Sequence, residues 1–68
     1  MLTPREQTIF RNRFNHFWRI NKRTALTQTV KWFESWYIEL VGQEPPQDYK
    51  EEVIAFLTEL ETKTEEER

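Results

Sequence analysis

The sequence predicts an all-α protein, a small three-helix bundle. Three segments carry apolar residues at alternating spacings of three and four, which is the period of one helix face. Two of these segments begin with the spacing of a capping box. The only glycine and two adjacent prolines separate the second segment from the third, and no alternating strand pattern competes with the helices.

The first helix is predicted over residues 4–20. Thr3 and Glu6 have capping-box spacing, and Pro4 suits the first helical position, where its missing N–H would have no partner. Arg13 falls among the apolar residues, and we expect its stem to run past them so that its charge reaches water. The helix is otherwise amphipathic, with one half of its surface formed by Ile9, Phe10, Phe14, Phe17, Trp18 and Ile20.

The second helix is predicted over residues 25–41. Gly42 is expected to end it in the left-handed conformation, which glycine adopts without steric cost. Residues 43–47 then form a stiff loop, because neither proline in it can continue a helix. The predicted core stripe of this helix consists of Leu26, Val30, Phe33, Tyr37 and Leu40.

The third helix is predicted over residues 49–61, with Asp48 as its cap and Glu51 completing the capping-box spacing. Residues 62–68 are acidic and polar and contain no apolar side chain, so we predict a frayed tail beyond a single domain of residues 1–61. The predicted core face is formed by Tyr49, Val53, Phe56, Leu57 and Leu60.

The length of 68 residues suits one domain, and a domain of this size buries only about 60% of the surface of its unfolded chain. Aromatic residues make up 15% of the chain and supply large side chains for a small core. No cysteine is present, so no disulfide can form. No apolar run approaches the roughly 20 residues of a membrane span, and the start lacks a secretory apolar segment. We therefore predict a soluble, cytoplasmic protein without a membrane partner.

Catalytic and metal-binding patterns are weak. His16 is the only histidine, and without cysteine it has no second imidazole or thiol with which to hold a metal. Glu51 and Glu52 are adjacent and point about 100° apart on a helix, so they do not form a carboxylate pair. A single glycine excludes a glycine-rich phosphate loop. We expect no enzyme activity, metal, cofactor or small-molecule substrate.

Charge is divided unevenly along the chain. Residues 1–31 contain seven basic residues and one acid, whereas residues 32–68 contain three basic residues and eleven acids. Such an asymmetry is typical of proteins that bind nucleic acid, an anionic surface or another protein. The stretch RNRFNHFWRINKR places a basic face on the first helix. Its candidate nucleic-acid-binding residues are Arg11, Asn12, Asn15, His16, Arg19, Lys22 and Arg23.

Two alternatives remain open at this level. The basic residues could instead complement the acids Glu51, Glu52 and Glu59 of the third helix within the bundle. Trp18, Trp32 and Trp36 lie at the edges of the predicted core faces, where they could anchor a protein partner or a second copy, or cover the core as partly exposed lids. Ile38 and Ile54 also fall off the core faces and add apolar surface.

Residues 24–60 contain TQTVKWFESWY, a turn, and then EEVIAFLTEL. This arrangement resembles the core-binding (SAM-like) domain of tyrosine recombinases, the phage and integron integrases, in which an aromatic-striped helix precedes a helix of the form E-x-V/I-x-x-F-L-x-x-L. The matching residues of the second pattern are Val53, Phe56, Leu57 and Leu60, and those of the first are Thr24, Val30, Trp32 and Phe33. The chain departs from the family in its basic first helix and in having no counterpart of the catalytic domain. The resemblance implies a DNA-clamping module without cleavage chemistry.

The sequence thus predicts a small non-enzymatic binding protein, with a nucleic-acid-binding accessory function favoured and DNA as the favoured ligand. The alternative is an adaptor or inhibitor that binds a protein, or forms a homodimer, through its tryptophan-rich surface.

Overall fold

Three α-helices and no strand make up residues 2–66, the part of the chain that the computed structural model describes. Helix α1 spans Pro4–Ile20, α2 spans Ala25–Val41 and α3 spans Gln47–Glu66. The all-α three-helix prediction is confirmed, and α1 and α2 have the predicted bounds. The helices within residues 2–66 are too short or too polar to cross a lipid bilayer.

The ends of α1 are fixed by local hydrogen bonds of the side chains and the backbone. The Glu6 N–H donates to Thr3 Oγ1 at 3.2 Å and the Thr3 N–H donates to Glu6 Oε1 at 3.0 Å, which completes the predicted capping box. At the other end the Asn21 N–H donates to the Phe17 carbonyl at 2.9 Å. Asn21 Oδ1 then accepts from the Arg23 N–H at 3.0 Å, which holds the tight turn into α2.

Helix α2 ends at Gly42 as predicted. Gly42 has φ +85°, and its N–H donates to the Ile38 carbonyl at 2.7 Å. No atom lies within 4 Å of the position that a Cβ would take at Gly42. Glycine is therefore needed here for its backbone conformation and not for lack of space.

The start of α3 differs from the prediction. The helix begins at Gln47, so Asp48 lies inside the first turn and does not cap the helix from outside. Its negative charge is still favourable there, because the exposed N–H groups of a helix start carry partial positive charge.

The predicted frayed tail is also helical as far as Glu66, whereas Glu67 and Arg68 lie outside the described residues. Glutamate and lysine are good helix formers even without an apolar face. Lys63 Nζ lies 3.7 Å from Glu59 Oε1 one turn earlier, and the Thr64 hydroxyl donates to the Leu60 carbonyl at 2.8 Å. Local interactions thus continue the helix beyond the last apolar side chain.

Consecutive helices run antiparallel, as the contacts between them show. The start of α1 and the end of α2 border one groove together with Pro46 and Tyr49, at the start of α3. Phe33 lies at the centre of the core, with its ring 5.4 Å from both Phe10 and Tyr49 in edge-to-face geometry. The buried apolar residues are Leu2, Phe10, Phe14, Ala25, Phe33, Val53 and Leu57.

Two residues assigned to apolar core faces are exposed. Leu40 and Ile20 each expose 69% of their surface. Both lie in the last turn of a helix, beyond the side chains that close the core, so the stripe continues where neighbouring helices no longer cover it.

The core also contains a polar residue that the pattern did not indicate. Thr29 is fully buried in α2, and its hydroxyl donates to the Ala25 carbonyl at 2.7 Å. Because the hydroxyl is satisfied within its own helix, Thr29 occupies a core position without an unpaired polar atom.

Candidate nucleic-acid interface

The candidate basic face is solvent-exposed along its length. Its first five residues follow the outer side of α1, and the last two lie in the turn after it. Arg19 lies in the last turn of α1, where a cation is favoured by the partial negative charge of the helix end. The exposed residues of this face are Arg11, Asn12, Asn15, His16, Arg19, Lys22 and Arg23.

One edge of the basic face meets the acidic helix α3. Arg11 lines a groove together with Glu59 and Lys63 of α3. Glu59 is itself paired with Lys63 at 3.7 Å. The ion pairs described within residues 2–66 join Lys63 to Glu59 and Lys50 to Glu34, and neither of them uses a basic residue of α1.

The other edge of the basic face meets α2 at a cleft of about 410 Å³. Asn12 and His16 line this cleft from α1, and Trp32 lines it from α2. The structure therefore brings together two groups of residues that the sequence assigned to different functions, the polar face of α1 and one of the tryptophans.

Arg13 also lines this cleft, although no pattern in the sequence assigns it to a site. It is half-buried, and its guanidinium carbon lies 4.7 Å from the centroid of the Trp32 ring, within the range of a cation–π contact. The signal that could have identified it was its position as the one charge among the apolar residues of α1.

The three tryptophans are half-buried and do not form one surface. Trp32 and Trp36 stack on each other, with ring centroids 6.0 Å apart and an interplanar angle of 20°. Trp18 stacks on Phe14 at 5.5 Å, and Lys22 Nζ lies 6.0 Å from the Trp18 ring. Each indole therefore covers part of the core, as expected for a lid, and also keeps part of its surface open to a ligand.

A second, more apolar groove of about 670 Å³ lies at the end of the bundle where α1 starts and α2 ends. Its lining includes Ile9, Trp36, Leu40 and Pro46, with Arg5 also beside it. The end of α2 adds further apolar surface, since Ile38 is 44% exposed and Val41 is 52% exposed.

Glu6 and Tyr49 join the starts of α1 and α3 beside this groove. The Tyr49 hydroxyl donates a hydrogen bond to Glu6 Oε2. This bond lowers the pKa of Glu6 below its usual range, and the capping bonds with Thr3 act in the same direction. Burial and the same bond to Glu6 raise the pKa of Tyr49 above its ordinary value, which is already well above neutral pH. The hydrogen bond of the neutral phenol to Glu6 joins α1 to α3.

The described residues contain no group of three or more histidine, cysteine or acidic side chains placed to hold a metal ion. The exposed His16 ring meets the edge of Phe17 at 5.4 Å.

No protein-family model matches this chain, and no significant match exists among curated proteins or solved structures. The resemblance of residues 24–60 to the core-binding domain of tyrosine recombinases stays a prediction, since none of these comparisons bears on it.

Proposed function

We propose that this protein is a small non-enzymatic module that binds nucleic acid, with DNA favoured, through the basic face of α1. One observation carries the proposal. The seven candidate residues are all exposed, and the described ion pairs of the bundle do not use the basic residues among them. These basic side chains can therefore pair with an external anion.

Binding would depend mainly on phosphate contacts. The arginine and lysine side chains neutralise phosphates, and the Asn12 and Asn15 amides can bond to phosphate oxygens or base edges. His16 can add a phosphate contact from the same face. The overall net charge of −2 does not oppose this, because the acids are concentrated in the second half of the chain.

The test is the salt dependence of binding. Four to five phosphate contacts give a slope of log K against log salt of roughly −4 on duplex DNA. The double variant Arg19→Glu/Arg23→Glu should lose about two phosphate contacts, so its slope should be less negative by about 2. Its circular dichroism should stay helical. Fluorescence anisotropy with labelled duplex and single strands, from low to moderate salt, measures the slope for the wild type and for the variant. Circular dichroism checks the fold.

A matched control changes the net charge equally at another place. Lys31 is exposed and lies on α2 outside the described ion pairs, so Lys31→Glu should leave the slope nearly unchanged, whereas Arg19→Glu, which changes the net charge equally, should make it less negative by about one phosphate contact. If the wild-type protein binds no strand at low salt, the proposal is wrong. If Arg19→Glu/Arg23→Glu unfolds the protein, these residues serve the fold and not a ligand.

A second candidate function is protein binding, as an adaptor, an inhibitor or a homodimer. It is favoured by the apolar groove, which the exposed Leu40 lines, and by the exposed Ile38 and Val41 near the same end of α2. Sedimentation equilibrium tests self-association directly. If the groove is the dimer interface, the protein should associate as its concentration rises, and Leu40→Glu should return it to a monomer with an unchanged helical signal.

A further inference from the structure

We propose that the cleft between α1 and α2, lined by Asn12, Arg13, His16 and Trp32, accepts an unpaired base of a single-stranded nucleic acid. The proposal rests on the proposed function and deepens it by naming single strands as the ligand class. Trp32 would be the stacking platform, and the neighbouring basic face would hold the phosphates on either side of the base.

The cleft has the composition of a site for a nucleic-acid base. An indole and three polar side chains that can hydrogen-bond converge on a volume of about 410 Å³, which lies within the usual range of small-molecule sites. An amide such as Asn12 offers both donors and an acceptor, as the edges of bases require. Sites for single strands combine a basic track with aromatic rings on which bases stack, and both are present here on one surface.

Trp32 is held in place by its aromatic neighbours. The buried Phe10 meets its ring edge-to-face at 6.4 Å, and Trp36 stacks on it at 6.0 Å. A ring fixed by the core loses little freedom when a ligand stacks on it, so the platform is preorganised.

A flat, charged group already covers the Trp32 ring. The Arg13 guanidinium is flat, and its central carbon lies 4.7 Å from the Trp32 centroid. A flat base interacts with an indole through the same face. When a base enters, Arg13 can move outward, stacking on the base or pairing with a phosphate, so its charge is kept in the complex.

This arrangement favours single strands over duplex. In a duplex both faces of each base are occupied by its neighbours, and only edges are presented in the grooves. An indole that lines a cleft between two helices can stack on a base only after the base has left the helical stack.

The experiment compares four probes on the wild-type protein at one salt concentration: a short DNA strand, the RNA strand of the same sequence, their DNA duplex, and an abasic strand with the same number of phosphates. We expect the single strands to bind more tightly than the duplex. The abasic strand should bind more weakly than the normal strand by roughly 5- to 150-fold, the effect of losing one stacked base. The ratio of DNA to RNA affinity identifies the sugar that the site prefers.

Variants assign the effect to the cleft. Trp32→Ala should bind the normal strand more weakly than the wild type does by about the same factor, and its affinity for the abasic strand should hardly change. Trp32→Phe should lose less affinity for the normal strand because it keeps an aromatic ring. Trp18→Ala is the matched control, since it removes a half-buried indole from the same helix as the basic face but outside the cleft. Circular dichroism checks that each variant is folded.

Each outcome decides the proposal. Equal affinity of the wild-type protein for the normal and abasic strands overturns the base site but leaves phosphate binding intact. An equal loss in Trp18→Ala and Trp32→Ala also overturns it. Failure to bind any of the four probes removes the proposed function together with the base site. If Trp32→Ala does not fold, the comparison of normal and abasic strands on the wild-type protein still decides.

Discussion

At the scale of single residues, the hydrogen bond from Tyr49 to Glu6 joins two helices that are far apart in sequence. Tyr49→Phe removes this bond but keeps the ring against Phe33 and Tyr37. Because the acceptor is a charged carboxylate, we expect the variant to lose about 1–2 kcal/mol of unfolding free energy at pH 7. Urea denaturation followed by circular dichroism measures this loss.

The same bond predicts a pH dependence with a definite sign. The folded protein lowers the pKa of Glu6, so the folded state binds this proton less tightly than the unfolded chain does. The stabilisation is complete above the unfolded pKa of about 4.3 and is lost as the pH falls through the lower folded pKa. The stability difference between wild type and Tyr49→Phe should therefore shrink in acid. A difference that stays constant from neutral to strongly acidic pH would contradict this role, and Tyr37→Phe, which leaves the bond in place, is the control.

At the scale of helices, Gly42 ends α2 with a positive φ that other residues adopt at a cost. Gly42→Ala should lower the unfolding free energy by about 1–2 kcal/mol, and Gly42→Asn by less, because asparagine tolerates this conformation. The space around the position is open, so the loss would come from the backbone alone. Thermal unfolding of the two variants measures it. If Gly42→Ala is as stable as the wild type, the end of α2 can relax into another conformation.

The helix boundaries also show which sequence signals are sufficient to predict where a helix starts or ends. Capping by Thr3, the proline beside it and the single glycine are local signals, and they correctly placed two helix ends, the start of α1 and the end of α2. The predicted end of α3 lies too early in the chain because apolar periodicity stops at Leu60, whereas the helix continues to Glu66. Helix propensity and the pair of Lys63 with Glu59 act without an apolar face, so periodicity alone cannot place such an end.

At the scale of the whole molecule, stability depends on a core of few residues. Phe33→Ala should cost about 3–5 kcal/mol, which approaches the total stability expected for so small a domain. Phe33 is fully buried between α1 and α3, so its loss affects all three helices.

Leu40→Ala is the matched control, because the same periodicity assigned Leu40 to the core although 69% of it is exposed. We expect a change of at most about 0.5 kcal/mol there. Urea melts of both variants measure the difference. If Phe33→Ala melts cooperatively near the wild-type midpoint, Phe33 does not hold the core together.

The candidate site was predicted only in part, for a reason that applies to the whole bundle. The face of a single helix can be read from its own period, and the seven residues assigned to the basic face are exposed together. Whether Trp32 of α2 borders that face depends on how far α2 is rotated and shifted along α1. That arrangement is set by the packing of Phe10, Phe33 and Trp36, to which no local pattern in the sequence corresponds.

The short connections between the helices also have a kinetic consequence. Residues 21–24 join α1 to α2 and residues 42–46 join α2 to α3, so two of the three helix pairs are hairpins closed by short loops. Topologies dominated by such local pairings fold in microseconds to milliseconds. An unfolded chain with ten aromatic side chains would present many sites for aggregation. Rapid folding shortens the time for which newly made chains expose them, a protection that marginal stability alone would not provide.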